Sequence, residues 1–254
     1  MPEYTTSTDG TRIAFEAIGT GPAVVLVAGA FGTRESMRPL ADLLRDRFTA
    51  VIPDRRGRGD SGPTAWVSAQ QQVDDLLAVA GATGATRLFG HSSGAVLVLL
   101  AAAVSPAIAE VAAYEPPVQD RDPEGAAAFA TDLRALLAAG RADDATVAWF
   151  RRTSAGRFDE TMRTAPWWPA LVALAHTLPD EQTLIGNGGV PTAVGRIAAR
   201  ALLISGGASP AWAAAATSAL AATIPDATIA VIPGEGHAVR PGALAPVLAA
   251  FFRP

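Results

Sequence analysis

The sequence predicts an α/β fold in which helices cover both faces of a mostly parallel, doubly wound sheet. Short apolar runs of strand length alternate with longer segments of helical periodicity along most of the 254 residues. The strand-like runs are almost continuously apolar rather than alternating, which is typical of parallel strands that are buried on both faces. The regular alternation of the two kinds of segment indicates successive β-α units.

Six apolar runs predict strands, and each ends in polar or glycine-rich residues. These strands span 23–29, 48–54, 86–92, 110–115, 200–206 and 227–234. The helices that accompany them are predicted over 37–47, 69–80, 95–103, 212–223 and 243–252.

The alternation stops in the interval 120–196, where helical segments follow one another with no convincing strand. An interval of this length is too long for a structureless loop in a compact domain. We therefore predict a helical insertion, the cap, over 120–196, with residues 1–119 and 197–254 forming the α/β core.

Composition narrows the class of function. The formal net charge is −4 with both signs well mixed, so the chain has no electrostatic footprint for nucleic acid or an anionic membrane surface. The absence of cysteine excludes disulfides, thiolate zinc sites and a cysteine nucleophile. The sequence does not open like a signal peptide, and its longest apolar run, 95–104, is shorter than the roughly 18 residues that a membrane span needs. We expect a cytoplasmic protein that acts on a small molecule.

A candidate nucleophile follows the third predicted strand. The segment FGHSSGAV, residues 89–96, places Gly-x-Ser-x-Gly between an apolar strand and an apolar helix, which is the context of a nucleophile elbow. Ser92 would then lie on a tight turn with its Oγ projecting, and side chains at positions 90 and 94 would crowd that turn. The alternative is an ordinary serine- and glycine-rich turn. His91, inside the motif, is expected to be structural.

A serine hydroxyl needs a base to take its proton, and histidine is the usual one. The chain contains three histidines. His237 follows the last predicted strand in the glycine-rich segment GEGHAVRP, which can reach the carboxyl edge of the sheet. His176 falls in the insertion, where a solvated or packing role is expected. We predict that His237 is the base.

These segments resemble the α/β-hydrolase family of serine hydrolases. In addition to the elbow and the late histidine, PDRRGRGDSG at 53–62 is similar to a loop of the family, and VAGAFGT at 27–33 is similar to its oxyanion loop. The similarity covers essentially the whole chain. It implies an oxyanion hole formed by the amides of Ala30 and Ser93, although Ala28 stands where the family usually has histidine. No metal and no organic cofactor is expected, because side chains supply both the nucleophile and the base.

The acid of the triad departs from the position that most family members use. Those members carry an aspartate after the strand that here is RALLISGGASP, but Ser209 stands there, and residues 198–224 contain no carboxylate. A subset of the family, including haloalkane dehalogenases, takes its acid from the end of the strand that follows the nucleophile helix. Glu115 lies there, directly before two prolines. The chain therefore resembles that subset.

Zearalenone-type lactonases are more similar still, since they combine a Ser-Ser elbow, a glutamate before an apolar residue and proline, and an acid-free Gly-x-x-x-Pro loop. The order Ser92, Glu115, His237 also follows the family order of nucleophile, acid and histidine. Glu235, two residues before His237, is the alternative acid. The alternative role for Glu115 is that of a structural glutamate in a salt bridge at a strand end.

The insertion is the aromatic-rich part of the chain, and it predicts an apolar roof over the site that is formed by Trp149, Phe150, Met162, Trp167 and Trp168. The residues expected to contact substrate are Phe31 of the oxyanion loop together with Trp149, Met162, Trp167 and Trp168 of the insertion. The alternative is that these side chains pack the cap helices together. The sequence thus predicts a serine hydrolase that cleaves esters or lactones of apolar small molecules through an acyl-enzyme. Carbon-carbon bond hydrolases, lyases and weakly catalytic receptors on the same scaffold are the alternatives.

Overall fold

A single mixed sheet forms the centre of the computed structural model, which describes residues 1–63, 67–118, 122–154, 158–186 and 189–252. Its strand order is β1-β2-β4-β3-β5-β6-β7-β8. The strands are β1 (Glu3–Thr6), β2 (Arg12–Ile18), β3 (Ala23–Val27), β4 (Thr49–Pro53), β5 (Arg87–His91), β6 (Glu110–Tyr114), β7 (Arg200–Gly206) and β8 (Ala227–Ile232). The β1-β2 and β2-β4 pairs are antiparallel and the other neighbours are parallel.

Helices cover both faces of this sheet. The described residues form α1 (Arg34–Leu44), α2 (Ala69–Thr83), α3 (Ser93–Val104), α4 (Pro123–Ala138), α5 (Ala142–Thr153), α6 (Trp168–Ala173), α7 (Leu178–Ile185), α8 (Ala211–Ala221) and α9 (Pro241–Phe251). Helices α2, α3 and α8 contribute to the core on one face, and α1 and α9 to the core on the other. Successive residues of β3 enter opposite cores, which explains why the central strands are apolar throughout. The predicted doubly wound α/β fold is confirmed.

The first two strands were missing from the sequence prediction. β2 pairs with β4 from Phe15 opposite Pro53 to Ile18 opposite Ala50, and β1 adds a further antiparallel strand at the edge. Both strands carry charged and exposed residues. A search for continuous apolar runs finds strands that contain few polar residues, and it therefore misses strands such as these, in which charged and exposed residues interrupt the apolar run.

Between β6 and β7, the described residues form helices α4 to α7 and three short 3-10 helices, with no strand among them. One apolar cluster of this region comprises Leu133, Ala145, Trp149, Ala175 and Leu178. Ala30 and Phe31 of the core pack against that cluster, whereas Leu184 and Val194 lie in the main core beside α3. The predicted boundary between 119 and 120 falls outside the described residues, so the division into core and cap stays a prediction.

Helix α3 has the sequence SGAVLVLLAAAV and is buried around most of its circumference. It packs against β5 and β6 on one side and against α2 and α7 on the others, which is the situation in which a helix is apolar on all faces. None of the helices in the described ranges is long and apolar enough to cross a membrane. A cytoplasmic location stays a prediction.

The central position of α3 predicts a strong effect of truncating its buried side chains. Leu97 is 2% exposed, so Leu97→Ala should leave a cavity and lower the free energy of unfolding by about 2–5 kcal/mol. Leu43 of α1 is 55% exposed, and Leu43→Ala should change that free energy by less than about 0.5 kcal/mol. Urea denaturation followed by circular dichroism measures both. Equal losses would contradict the central position of α3.

Candidate active site

Ser92 occupies a strained turn between β5 and α3. Its backbone has φ 55° and ψ −123°, a conformation that non-glycine residues rarely adopt. A Cβ at Gly90 would lie 2.2 Å from the carbonyl oxygen of Gly94, and a Cβ at Gly94 would lie 2.6 Å from that of Ala28. Both glycines are therefore required by close backbone approach, as the motif predicted.

The structure brings Ser92, His237 and Glu115 into one chain of hydrogen bonds. His237 Nε2 lies 3.1 Å from Ser92 Oγ, and His237 Nδ1 lies 2.7 Å from Glu115 Oε2. With a carboxylate at Nδ1, that nitrogen carries the proton, and Nε2 accepts from the serine hydroxyl. The three side chains come from the ends of β5 and β6 and from the loop after β8. Parallel strands bring these positions together at the carboxyl edge of the sheet.

Glu115 is completely buried directly after β6, with φ 45°. Its second oxygen, Oε1, accepts hydrogen bonds from the Gly206 amide at 2.8 Å and from the hydroxyl of Ser209. Burial alone would raise the pKa of Glu115, but the hydrogen bonds from His237, Ser209 and Gly206 outweigh that effect and hold the pKa below its usual range. The carboxylate is therefore ionised at neutral pH. Ser209, at the position of the family's usual aspartate, donates to the glutamate.

The alternative acid, Glu235, contacts Arg240, whereas His237 Nδ1 is bound by Glu115. The two oxygens of Glu235 accept from the backbone amide of Arg240 at 2.9 Å and from the Arg240 Nε at 2.7 Å. These contacts lower the pKa of Glu235. They also close the chain from 235 to 240 into a compact loop, so Glu235 shapes the loop that carries His237.

His91 and Tyr114 hold the backbone of the same loop. His91 Nε2 donates to the carbonyl oxygen of His237 at 2.8 Å, and the Tyr114 hydroxyl donates to that of Gly236 at 2.6 Å. Burial, together with the neighbouring His237, lowers the pKa of His91 to about 4. His91 is therefore neutral above that pH, with a single N–H aimed at the loop. This geometry agrees with the structural role expected for it.

The predicted oxyanion residues lie beside the serine. Ser93 begins α3, so its backbone amide has no partner within the helix and points out of the positive end of the helix. On the other side, the loop of Ala30 passes so close that a Cβ at Gly29 would lie 2.8 Å from the Ser92 Cβ. Ala30, Ser92 and Ser93 border the same cavity. The arrangement can accept a carbonyl oxygen between the two loops.

That cavity has a volume of about 700 Å³, within the range of small-molecule sites. Core and insertion both contribute to its wall. The described insertion residues in the wall include Trp149, Phe150 and Ile185, and those of the core include Met37 and Trp212. The wall around the serine is thus rich in apolar side chains.

Phe31 and Trp149 lie in the cavity wall as predicted for substrate contact, but Met162, Trp167 and Trp168 do not. Trp168 is 3% exposed and packs behind Phe150, with ring centroids 5.7 Å apart. Trp167 is 48% exposed on the outer side of Trp168, and Met162 belongs to the short helix Glu160–Thr164. The cavity wall therefore gives no support to substrate contact by these three residues, and their contact with substrate stays a prediction. The composition of the segment does not reveal which of its side chains face the cavity.

Phe150, which belongs to the predicted aromatic roof, lies in the wall, and so does Trp212, which the sequence analysis did not single out. Phe150 stacks on Phe31 with ring centroids 5.6 Å apart and planes at 7°. Trp212, at the start of α8, lies edge-on to His237 with centroids 5.8 Å apart. The sequence offered one indication that Trp212 could line the site: it follows β7, at the carboxyl edge of the sheet. Among the residues the structure describes, no cluster of three or more histidine or acidic side chains is arranged to hold a metal ion.

Comparison with known proteins agrees with this architecture. The model of the alpha/beta hydrolase family matches residues 24–247. An alpha/beta hydrolase from Sphaerobacter thermophilus is 43% identical, with a TM-score of 0.90, and the match covers 99% of this chain and 100% of that chain. An esterase from Exiguobacterium antarcticum is 18% identical with a TM-score of 0.78 and 99% of each chain covered, a likeness that shows the fold alone. The chain belongs to the alpha/beta hydrolase family.

Proposed function

We propose that this protein is a serine hydrolase that cleaves an ester or a lactone of an apolar small molecule. The observation that carries the proposal is the chain of hydrogen bonds from Ser92 through His237 to Glu115, which opens into a largely apolar cavity. Such a chain supplies a nucleophile, a base that takes its proton and a carboxylate that orients the base.

In the proposed reaction, Ser92 Oγ attacks the carbonyl carbon while His237 Nε2 takes its proton. The tetrahedral oxyanion accepts hydrogen bonds from the amides of Ala30 and Ser93. The protonated imidazole is stabilised by the buried carboxylate of Glu115, and it then gives its proton to the leaving alcohol. A water molecule, activated by the same histidine, releases the acyl group from Ser92.

The cavity supports an apolar substrate with a compact polar centre. Phe31, Phe150 and Trp149 lie in the cavity wall. The polar side chains of the wall include Ser92 and His237 and, from the insertion, Asp122, Arg152 and Gln182. A lactone fits the same chemistry as a linear ester, because its leaving alcohol stays covalently attached after ring opening. The resemblance of the Glu115 and Ser209 region to zearalenone-type lactonases supports including lactones in the proposal.

A direct test combines a panel of chromogenic esters and lactones with a serine-directed phosphonate label. We expect turnover of apolar substrates and a label on Ser92. Labelling with negligible turnover across the panel would favour a receptor, or carbon-carbon bond chemistry, over ester hydrolysis. Absence of both would contradict the assignment of Ser92 as nucleophile.

Ser92→Ala should abolish both turnover and labelling while the melting temperature stays close to that of the wild type, because the change removes only a hydroxyl. Ser93→Ala is the matched control. It should lose little activity, since the proposed contribution of Ser93 is a backbone amide that alanine also has. Turnover retained by Ser92→Ala would overturn the mechanism.

Glu115→Gln should lower kcat by roughly 10²–10⁴-fold with little change in KM, because it keeps the shape of the side chain and removes the charge that stabilises the imidazolium. Glu235→Gln is the control. Glu235 lies in the loop of His237, and the side chain that it contacts in the described residues is that of Arg240. Its substitution should lower kcat much less than Glu115→Gln does. Steady-state kinetics on fully folded samples compares them. Equal losses would indicate that Glu115 acts only through the fold.

Phe150→Ala should enlarge the cavity and shift preference toward bulkier substrates, with kcat/KM ratios between bulky and small esters changing by about 10-fold or more. Trp167→Ala removes an aromatic ring that lies outside the wall, and it should leave the ratio unchanged. The ratio is measured on two esters of the same alcohol, one with an acetyl group and one with a larger aromatic acyl group. A larger shift for Trp167→Ala would contradict the wall as described.

A further inference from the structure

Two buried arginines close to the site have no part in the mechanism as described. Arg55 and Arg58 belong to the segment RRGRG after β4 and are 8% and 2% exposed. Arg56, between them, makes ion pairs with Asp9 and Asp75, which tie the β1-β2 loop and α2 together. A buried guanidinium is costly unless it is paired and hydrogen-bonded. The partners of Arg55 and Arg58 therefore indicate what the two residues hold in place.

Their anionic partner comes from the insertion. Glu181 of α7 is completely buried, and its Oε1 pairs with the Nη1 of Arg55 at 2.8 Å and with the Nη2 of Arg58. Burial alone would raise the pKa of Glu181, but the charges of the two arginines outweigh that effect and lower the pKa. The carboxylate is therefore ionised at neutral pH. It connects a helix of the insertion to a loop of the core 123 residues away in the chain.

The other end of the Arg58 guanidinium holds the oxyanion loop. Its Nη1 donates to the carbonyl oxygens of Gly29 at 2.7 Å and Gly32 at 2.8 Å. These two residues flank the turn that contains Ala30 and Phe31, and Phe31 has φ 59° in this turn. The Gly29 carbonyl and the Ala30 amide belong to one planar peptide unit, so the hydrogen bond from Arg58 to that carbonyl orients the Ala30 N–H, and the bond to Gly32 holds the other end of the turn.

Arg55 reaches the second proposed donor. Its Nη1 lies 3.4 Å from the carbonyl oxygen of Ala28 and 3.3 Å from the Oγ of Ser93. Its Nη2 donates to Gln72 Oε1 of α2. The two arginines thus contact the residues on both sides of the space where the oxyanion would form, and Glu181 holds both arginines.

We propose that Arg58 is a positioning residue that sets the oxyanion loop, and that Glu181 of the insertion holds Arg58 in the conformation that does so. The inference rests on the proposed function for its catalytic consequence. Arg58 touches no reacting atom and acts through the peptide units of Gly29 and Gly32. The position of α7 and the geometry of the oxyanion loop are coupled through the buried ion pair of Glu181 and Arg58.

Arg58→Lys is the primary variant. Lysine keeps the charge beside Glu181, but its single ammonium cannot reproduce a planar fork that reaches the Gly29 carbonyl, the Gly32 carbonyl and the carboxylate together. Arg56→Lys is the matched control. Its side chain is also 7% exposed and paired with two carboxylates in the same segment, but none of its described contacts reaches the oxyanion loop.

For Arg58→Lys we expect kcat to fall by about 10²-fold, the size of effect seen when an oxyanion donor is removed. KM should change less than about threefold, because the loop contributes to the transition state rather than to binding of the apolar substrate. The pH profile of kcat/KM should keep its shape, since His237 and Glu115 are untouched. Arg56→Lys should lower the melting temperature about as much as Arg58→Lys does, but it should not lower kcat per phosphonate-labelled site.

Hydrogen exchange of the segment 27–33 gives a readout that does not need turnover. In Arg58→Lys, these amides should exchange at least about tenfold faster than in the wild type, whereas Arg56→Lys should leave them unchanged. Glu181→Gln provides a second route, because Arg58 stays in place and loses only its anion. It should accelerate the same amides. In the variant that combines Arg58→Lys with Glu181→Gln, kcat should fall by a smaller factor than the product of the two factors measured for the single variants.

Equal exchange of 27–33 in Arg58→Lys and Arg56→Lys would overturn the positioning role, and so would a kcat per labelled site that Arg58→Lys leaves intact. If the wild type neither turns over esters nor takes the label, the proposed function fails by itself. In that case the exchange data still decide whether Arg58 and Glu181 hold the loop.

Discussion

The arrangement of this site depends on the hydrogen bonds that stabilise one buried carboxylate, that of Glu115. Glu115 is 0% exposed at the end of β6, and an ionised carboxylate in that position is tolerable only when its lone pairs are used. The partners come from three places: the Gly206 amide at the end of β7, the Ser209 hydroxyl in the loop that follows, and His237 in the loop after β8. A single charge therefore ties three segments to one another, and the position of the imidazole opposite Ser92 follows from that tie.

Backbone strain is concentrated at the same place. Among the described residues, the non-glycine residues with positive φ are Phe31, Ser92 and Glu115. They lie respectively in the loop after β3, in the turn between β5 and α3, and directly after β6. Each unfavourable conformation must be held by its surroundings, and the surroundings here are identifiable. The Ser92 amide donates to the Tyr114 carbonyl, the Glu115 amide donates to the Ile204 carbonyl, and Arg58 holds the loop of Phe31. The sheet and the buried arginine maintain the geometry that the proposed chemistry needs.

The cavity is shared between the core and the insertion, and the apolar contacts and the charges cooperate in joining them. Phe31 of the core stacks on Phe150 of α5 at the wall, which removes apolar surface from water. In addition, the buried carboxylate of Glu181, from the insertion, forms an ion pair with Arg58 of the core. A buried ion pair adds little net stability compared with apolar packing, but removing one partner is strongly destabilising because the other charge is then left buried and unpaired. The Phe31–Phe150 contact and the Glu181–Arg58 ion pair therefore join the insertion to the core in different ways, one by apolar packing and the other by charge.

The local patterns of the sequence were sufficient for the doubly wound fold, because a strand buried on both faces must be apolar throughout and a strained turn at Ser92 must have glycines at 90 and 94. They also placed Glu115 and His237 at strand ends, where the topology of a parallel sheet brings them together. The edge strand β1 and its neighbour β2 were not predicted, because partial exposure permits charged residues in a strand. Only the tertiary structure decided between Glu115 and Glu235, since both precede His237 in the chain and the choice depends on which carboxylate faces Nδ1. Likewise, only packing decided that Phe150 faces the cavity while Trp168 supports it from behind, because side chains in one aromatic segment differ in direction and not in composition.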